Sequence, residues 1–163
     1  MAPQVFSFPA DAEEAGKQFG LTREELERLH ASSVQAKGTA YCPYSNFRVG
    51  AALLSQAGGI TPGANVENAS YPVTTCAERV AFGKAITEGV RGFKAVAVAT
   101  DITPPASPCG MCRQCIREFC DLKTPVIMFD KDDKFIVMHL EELLPNSFGP
   151  EALGVQAQIK RNN

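Results

Sequence analysis

Hydrophobic positions follow two rhythms along this chain: a spacing of about 3.6 residues in some stretches and short, nearly unbroken apolar runs in others. In LTREELERLHASSVQAKG, Thr22 and Glu25 make a capping-box pair, and Leu26, Leu29 and Ser33 share one face before Gly38 stops the pattern, which predicts a helix. FRVGAALLS and ITPGANVEN, divided by the turn-rich QAGG, read as two strands of a hairpin. Helical spacing returns from Thr75 to about Glu88, with Val80, Phe82 and Ile86 apolar and Gly89 as the stop. FKAVAVAT is a short buried strand ended by the prolines of DITPPASP. A further helix opens near Pro108, where proline is tolerated, and runs through CGMCRQCIREFCD. TPVIMF and KFIVMHL are separated only by DKDD, too short for a crossover helix, so they form an antiparallel pair. A short helix around LEELLP and a polar C-terminal segment complete the chain.

The order helix, two strands, helix, strand, helix, two strands, helix predicts an α/β fold. Its form is a three-layer α/β/α sandwich with a mixed five-stranded sheet, the last two strands antiparallel. In open sheets of this kind ligands sit beyond the carboxyl ends of strands, where helix N-termini point at them. Both cysteine-bearing helices follow a strand and a loop, so both N-termini can face one crevice. Residues 1–20 hold prolines, alanines and an acidic cluster without periodicity and read as an N-terminal extension of uncertain order. The remainder, 21–163, reads as a single catalytic domain, long enough to bury a core without disulfides.

Composition narrows the function. Apolar residues make up 45% and charged residues 21%, and the net charge is -2 with no dense run of Lys or Arg. That balance argues against a nucleic-acid partner and favours a small polar ligand. No apolar run reaches bilayer length, and MAPQVFSFPADAEEAGKQFG lacks the basic start and apolar core of a signal peptide. The expected setting is cytoplasmic, with no membrane partner. There the cysteines at 42, 76, 109, 112, 115 and 120 are metal ligands, catalytic groups or core residues rather than a disulfide framework.

Cys109 and Cys112 of PCGMC lie three apart, on one face of a helix. A lone CxxC suits a redox dithiol or half of a structural zinc site equally well. Adding Cys76, at the start of another helix, gives three thiolates from two segments, which matches a catalytic zinc with three protein ligands and an open position. Glu78 then supplies a proton acceptor for a metal-activated water. On an ideal helix Cys76 and Glu78 are rotated roughly 200° apart, so both meet one water only if the helix end faces the metal. Arg79 and the two helix N-termini would offset the charge of the thiolates. The alternative is a closed structural site with Cys115 as fourth ligand, making the chain a zinc-stabilised interaction module and leaving Glu78 without a task. Cys42 and Cys120 read as core or partly exposed thiols, and His30 and His139 as structural or surface residues.

CAE followed about thirty residues later by PCxxC is the cysteine form of the zinc deaminase signature. With YCPYSNFRVGAAL, NVENASYP, TCAER, PCGMCRQ and LLPNSFGP in order, the chain resembles the small homotetrameric cytidine deaminases from about residue 22 to 155. The resemblance implies zinc-dependent hydrolysis of cytidine and deoxycytidine to uridine and deoxyuridine, with release of ammonia, in pyrimidine salvage. It implies one zinc ion per subunit on Cys76, Cys109 and Cys112, with Glu78 moving protons. Asn65 and Glu67 would bind the ribose 3′-hydroxyl, Phe47 would pack on the pyrimidine, and Ala77 would lie beside the substrate. Tyr71 is implied near a subunit boundary and Phe148 in a neighbouring subunit's site, so a homotetramer with shared active sites is expected. Two features depart from the pattern: Cys115 stands where an apolar residue is expected, and the N-terminal extension is longer than the core requires. A deaminase of another aminopyrimidine nucleoside is the nearest rival reading.

Overall fold

The computed structural model describes residues 3–155. Its single sheet has the order β1-β6-β5-β4-β2-β3, formed by Val5–Ser7, Lys134–His139, Pro125–Phe129, Phe93–Thr100, Val49–Ser55 and Ile60–Ala64 respectively. Only β4 and β5 pair in parallel; the other neighbours are antiparallel, including the final pair β5 and β6.

Helices cover both faces. On one face α1 (Ala12–Phe19) and α2 (Arg23–Ala36) pack Ala15, Leu26 and Leu29 against Ala52, Leu54, Ala97, Ile127 and Phe135. On the other, α3 (Ala77–Thr87), α4 (Gly110–Phe119) and α5 (Leu140–Leu143) pack Ala81, Phe82, Ile116 and Leu140 against Leu53, Val96, Val126 and Met128. The α/β/α layering and the capping box of α2 are as expected, with the Thr22 hydroxyl accepting from the Glu25 N–H and the Glu25 carboxylate accepting from the Thr22 N–H.

The sheet has six strands rather than five. The sixth comes from the segment read as an extension of uncertain order. Val5–Ser7 pairs with Lys134–Ile136 along the open edge of β6, burying Phe6 against Phe135 with ring centroids 5.2 Å apart. Behind it, α1 turns its small residues Ala12, Ala15 and Gly16 inward. Pairing spares β6 an exposed edge, and the small side chains of α1 let it sit close to the sheet. The end of the polar C-terminal segment, 156–163, lies outside the described residues.

Topology brings the two cysteine-bearing helices together. β3 and β4 are both antiparallel to β2, which lies between them, so they run in the same direction and finish at one edge of the sheet. The chain that follows each leads to the N-terminus of α3 or α4. α3 is seated by Gly63 of β3: a Cβ there would lie 2.6 Å from the Ala77 carbonyl oxygen and 2.5 Å from the Ala81 nitrogen. Helix backbone therefore rests on strand backbone, an approach that only glycine permits.

Candidate active site

Cys76 and Cys109 are the N-cap residues of α3 and α4, and Cys112 lies in the first turn of α4. The Sγ atoms of Cys76, Cys109 and Cys112 all lie within 4.8 Å of one another, with Cys76 and Cys109 3.9 Å apart. Cys115, one turn further along α4, is outside this group and packs against the apolar core. Among the described residues there is no fourth thiol to close the site. Three convergent sulfurs from two helix ends fit zinc by donor type and spacing.

Electrostatics agree with that fit. The Cys76 thiol is lowered to about 5 by its hydrogen bond with Cys112 and by Arg79 and Cys109, against the effect of burial. Cys112 is pushed the other way by the same hydrogen bond and by burial. A bound cation replaces thiol protons. The Arg79 guanidinium donates to the Thr74 carbonyl (2.9 Å) and reaches Cys76 Sγ at 3.9 Å, placing positive charge on the sulfur cluster.

Glu78 is buried, 3% exposed, yet lines the same cleft as Cys76 and Cys109. Burial raises its pKa above the usual carboxylate value, reinforced by the charge on Cys76. The end of α3 faces the cleft, which is what the rotation between Cys76 and Glu78 demands.

The cleft holds about 480 Å³. Its other end is built by the chain after β3. Residues 65–67 are bridged on both sides, by Tyr41 and by Thr75, the residue before Cys76. The Asn65 amide donates to the Phe47 carbonyl (2.8 Å) and its side-chain oxygen accepts from the Val49 N–H (2.9 Å). The Glu67 carboxylate accepts from the Tyr44 N–H (2.9 Å), the Ser45 N–H (3.2 Å) and the Ser45 hydroxyl, and the hydroxyl foremost lowers its pKa. Phe47, Asn65 and Glu67 all line the cleft. Ala77 is buried beneath the start of α3.

Tyr71 and Phe148 lie elsewhere. Tyr71 is 70% exposed and borders a neighbouring cavity of about 340 Å³ with Tyr44, Ser45, Glu67 and Thr74. Phe148 is 62% exposed, on a segment tied to α4: the Gln114 amide donates to its carbonyl (3.0 Å), and buried Arg117 binds the Ser147 hydroxyl (3.0 Å) and Glu151. Neither Tyr71 nor Phe148 lines the large cleft of its own chain. Sequence reading missed Ser45, Val49, Val98, Thr100, Ala106 and Ser107 of the cleft wall. For Val98 and Thr100 no signal existed, because β4 is buried on both faces and its composition does not mark which side opens to a ligand.

A thiol cluster suited to a metal, beside a buried carboxyl group of raised pKa in a cleft large enough for a small molecule, fits a metal-dependent hydrolase. The family model for the cytidine and deoxycytidylate deaminase zinc-binding region matches residues 23–128, and the chain belongs to this zinc-dependent family. It is similar to the cytidine deaminase of Sporosarcina psychrophila, 47% identical over 134 residues that cover 82% of this chain and 98% of that protein. A probable cytidine deaminase of Dictyostelium discoideum is 42% identical over 139 residues, covering 85% and 93%. Among solved structures, the cytidine deaminase of Burkholderia pseudomallei superposes with a TM-score of 0.73 at 40% identity, covering 75% of this chain and 98% of that one.

Proposed function

We propose that the chain catalyses hydrolytic deamination of cytidine and deoxycytidine to uridine and deoxyuridine with release of ammonia, a cytoplasmic step of pyrimidine salvage. The observation that carries this is the meeting of the Cys76, Cys109 and Cys112 thiols with buried Glu78 in one cleft. High identity to cytidine deaminases over most of the chain supports the choice of substrate. The catalytic unit is one domain over 21–163, to which residues 5–19 add a strand and a helix.

Cys76, Cys109 and Cys112 would hold zinc, which when bound supplies the Lewis acidity that makes water nucleophilic near neutral pH. Arg79 offsets the charge of the thiolates. Glu78 carries the protons: it accepts one from the attacking water and delivers it to ring N3, then takes the remaining proton from the hydroxyl now on C4 and passes it to the amine, which leaves as ammonia while the C4 carbonyl forms. Its raised pKa suits a group that must take and release protons near neutrality.

At the other end of the cleft, Glu67, kept ionised by its lowered pKa, accepts from the ribose 3′-hydroxyl. The Asn65 amide has a second N–H beyond the one given to Phe47 and donates it to the same oxygen. Phe47 packs on the pyrimidine. Ala77, the first residue of α3, has a backbone N–H without an intrahelical partner and offers it to the ring carbonyl. Exposed Tyr71 and Phe148 belong to subunit boundaries of a homotetramer, Phe148 completing the site of a neighbour.

The test is uridine formation from cytidine by the zinc-loaded protein, with Glu78→Gln alongside. Product from the wild type alone supports the reaction and its proton carrier. No product from protein that retains zinc moves the assignment to another aminopyrimidine nucleoside.

A further inference from the structure

Three residues form a row across the floor of the cleft. Val49 is paired with Thr100 on one side, and on the other its carbonyl accepts from the Asn65 N–H (3.3 Å). Residues directly opposite in antiparallel strands point to one face, and Asn65, Val49 and Thr100 all line the cleft. Asn65 has its amide engaged; Val49 is apolar. Thr100 differs from both.

Thr100 is 3% exposed, and its hydroxyl has no hydrogen-bond partner among the described residues. Its backbone is well held, the carbonyl accepting from Lys37 Nζ at 3.2 Å. The side chains beside it, Val49 and Val98, offer nothing to bond. A buried hydroxyl left unmatched costs stability, and native proteins seldom keep one without a use. Aimed into a ligand cleft, it calls for a partner on the ligand.

Geometry selects the partner. Adjacent strands are about 4.8 Å apart, so Asn65 and Thr100 are separated by about 10 Å, wider than a furanose ring and comparable to a sugar plus its base. With the sugar at Asn65 and Glu67, the edge of the base remote from the sugar comes to Thr100, on the side where β4 runs into the loop carrying Ser107 and Cys109. The polar group of that edge in an aminopyrimidine is the exocyclic 4-amino group. We infer that Thr100 is a substrate-binding residue whose hydroxyl accepts an N–H of the 4-amino group and holds the leaving nitrogen in place. It forms and breaks no covalent bond. The inference rests on the nucleoside reading above and adds to it a determinant of selectivity for the amine.

The experiment compares wild type with Thr100→Val, which keeps the shape and removes the hydroxyl, and Thr100→Ser, which restores it. Two readouts are taken: kcat/KM for cytidine, and inhibition by pyrimidin-2-one riboside, the same nucleoside with hydrogen in place of the amine. Thr100→Val should lower kcat/KM for cytidine about tenfold while leaving the inhibitor's affinity within about twofold, and Thr100→Ser should recover most of the loss. The ligand-free Thr100→Val protein should unfold at the same denaturant concentration as wild type or higher, since no protein contact is lost. Unchanged cytidine kinetics, equal loss for both nucleosides, or a marked drop in stability would each overturn the assignment. A wild-type enzyme inert toward cytidine would instead strike the nucleoside reading itself.

Discussion

The Glu78 carboxylate is buried, and burial makes its ionisation costly. If Glu78 carries the protons as proposed, replacing it by Gln should lower turnover by a factor on the order of 10²–10⁴ or more, while metal content, measured by elemental analysis, stays the same because no thiol is touched. The acid limb of kcat/KM follows from the direction of the shift. Glu78 accepts a proton only when ionised, and its pKa is raised above 4.5. Activity should thus fall, as pH decreases, at a higher pH than an ordinary glutamate would give; a limb at 4.5 or below would contradict the role of burial. The grouping of Cys76, Glu78, Arg79, Cys109 and Cys112 at one site was legible because it resides in residue type and spacing. The place of Thr100 was not, since a threonine ending an apolar strand has no distinguishing neighbour until the sheet shows what lies across from it.

Among the elements, α2 was readable from its capping box and apolar face, and the structure adds a tertiary contact. The Glu25 carboxylate also receives Lys94 Nζ of β4 at 2.7 Å, joining the helix N-terminus to the central sheet. Burial alone would raise its pKa; the bonds from Lys94 and from the Thr22 backbone reverse this and lower it below 4.5. A depressed carboxylate contributes stability above its unfolded value and loses it as pH falls through the folded value. Glu25→Gln should therefore cost about 0.5–1 kcal/mol at pH 7, and denaturant titrations should show the gap to wild type closing on acidification toward the folded pKa. β1 and α1 escaped the sequence reading for two reasons. A three-residue strand is too short to display alternation, and the helical spacing of Ala12, Ala15, Gly16 and Phe19 is present but is carried mostly by small residues over only eight positions. Asp130 shows what that segment helps to secure. Its buried carboxylate accepts from the Thr103 hydroxyl (2.8 Å) and from the Asp132 and Lys134 N–H groups, tying the loop toward Cys109 to the β5–β6 turn. The same turn bonds to the N-terminal segment through Phe8 N–H to the Asp133 carbonyl (2.7 Å) and Lys134 Nζ to the Ser7 hydroxyl (2.6 Å).

For the molecule as a whole, the layered architecture followed from the order of elements, whereas the strand count did not, because β1 joins the sheet through a partner more than a hundred residues away in the chain. Phe6→Ala should cost about 3–5 kcal/mol in denaturant unfolding, since its ring is buried on Phe135. Shared sites make a sharper test. If Phe148 serves a neighbour and Glu78 its own subunit, Glu78→Gln and Phe148→Ala proteins, each poorly active alone, should regain activity when unfolded and reassembled together. Some mixed sites then contain both intact residues. Absence of recovery in mixed oligomers, verified by light scattering, would remove the shared-site proposal.

Gly63 sets α3 on β3 through backbone contact alone, with no part played by the sulfur ligands. The helix end that carries Cys76 is therefore indexed by the sheet. Chelation should abolish turnover yet leave the circular dichroism spectrum essentially intact, unlike a zinc finger, whose fold collapses when its metal is withdrawn. Loading then needs no second folding reaction, and a protein that has lost its ion can be returned to service without being made again.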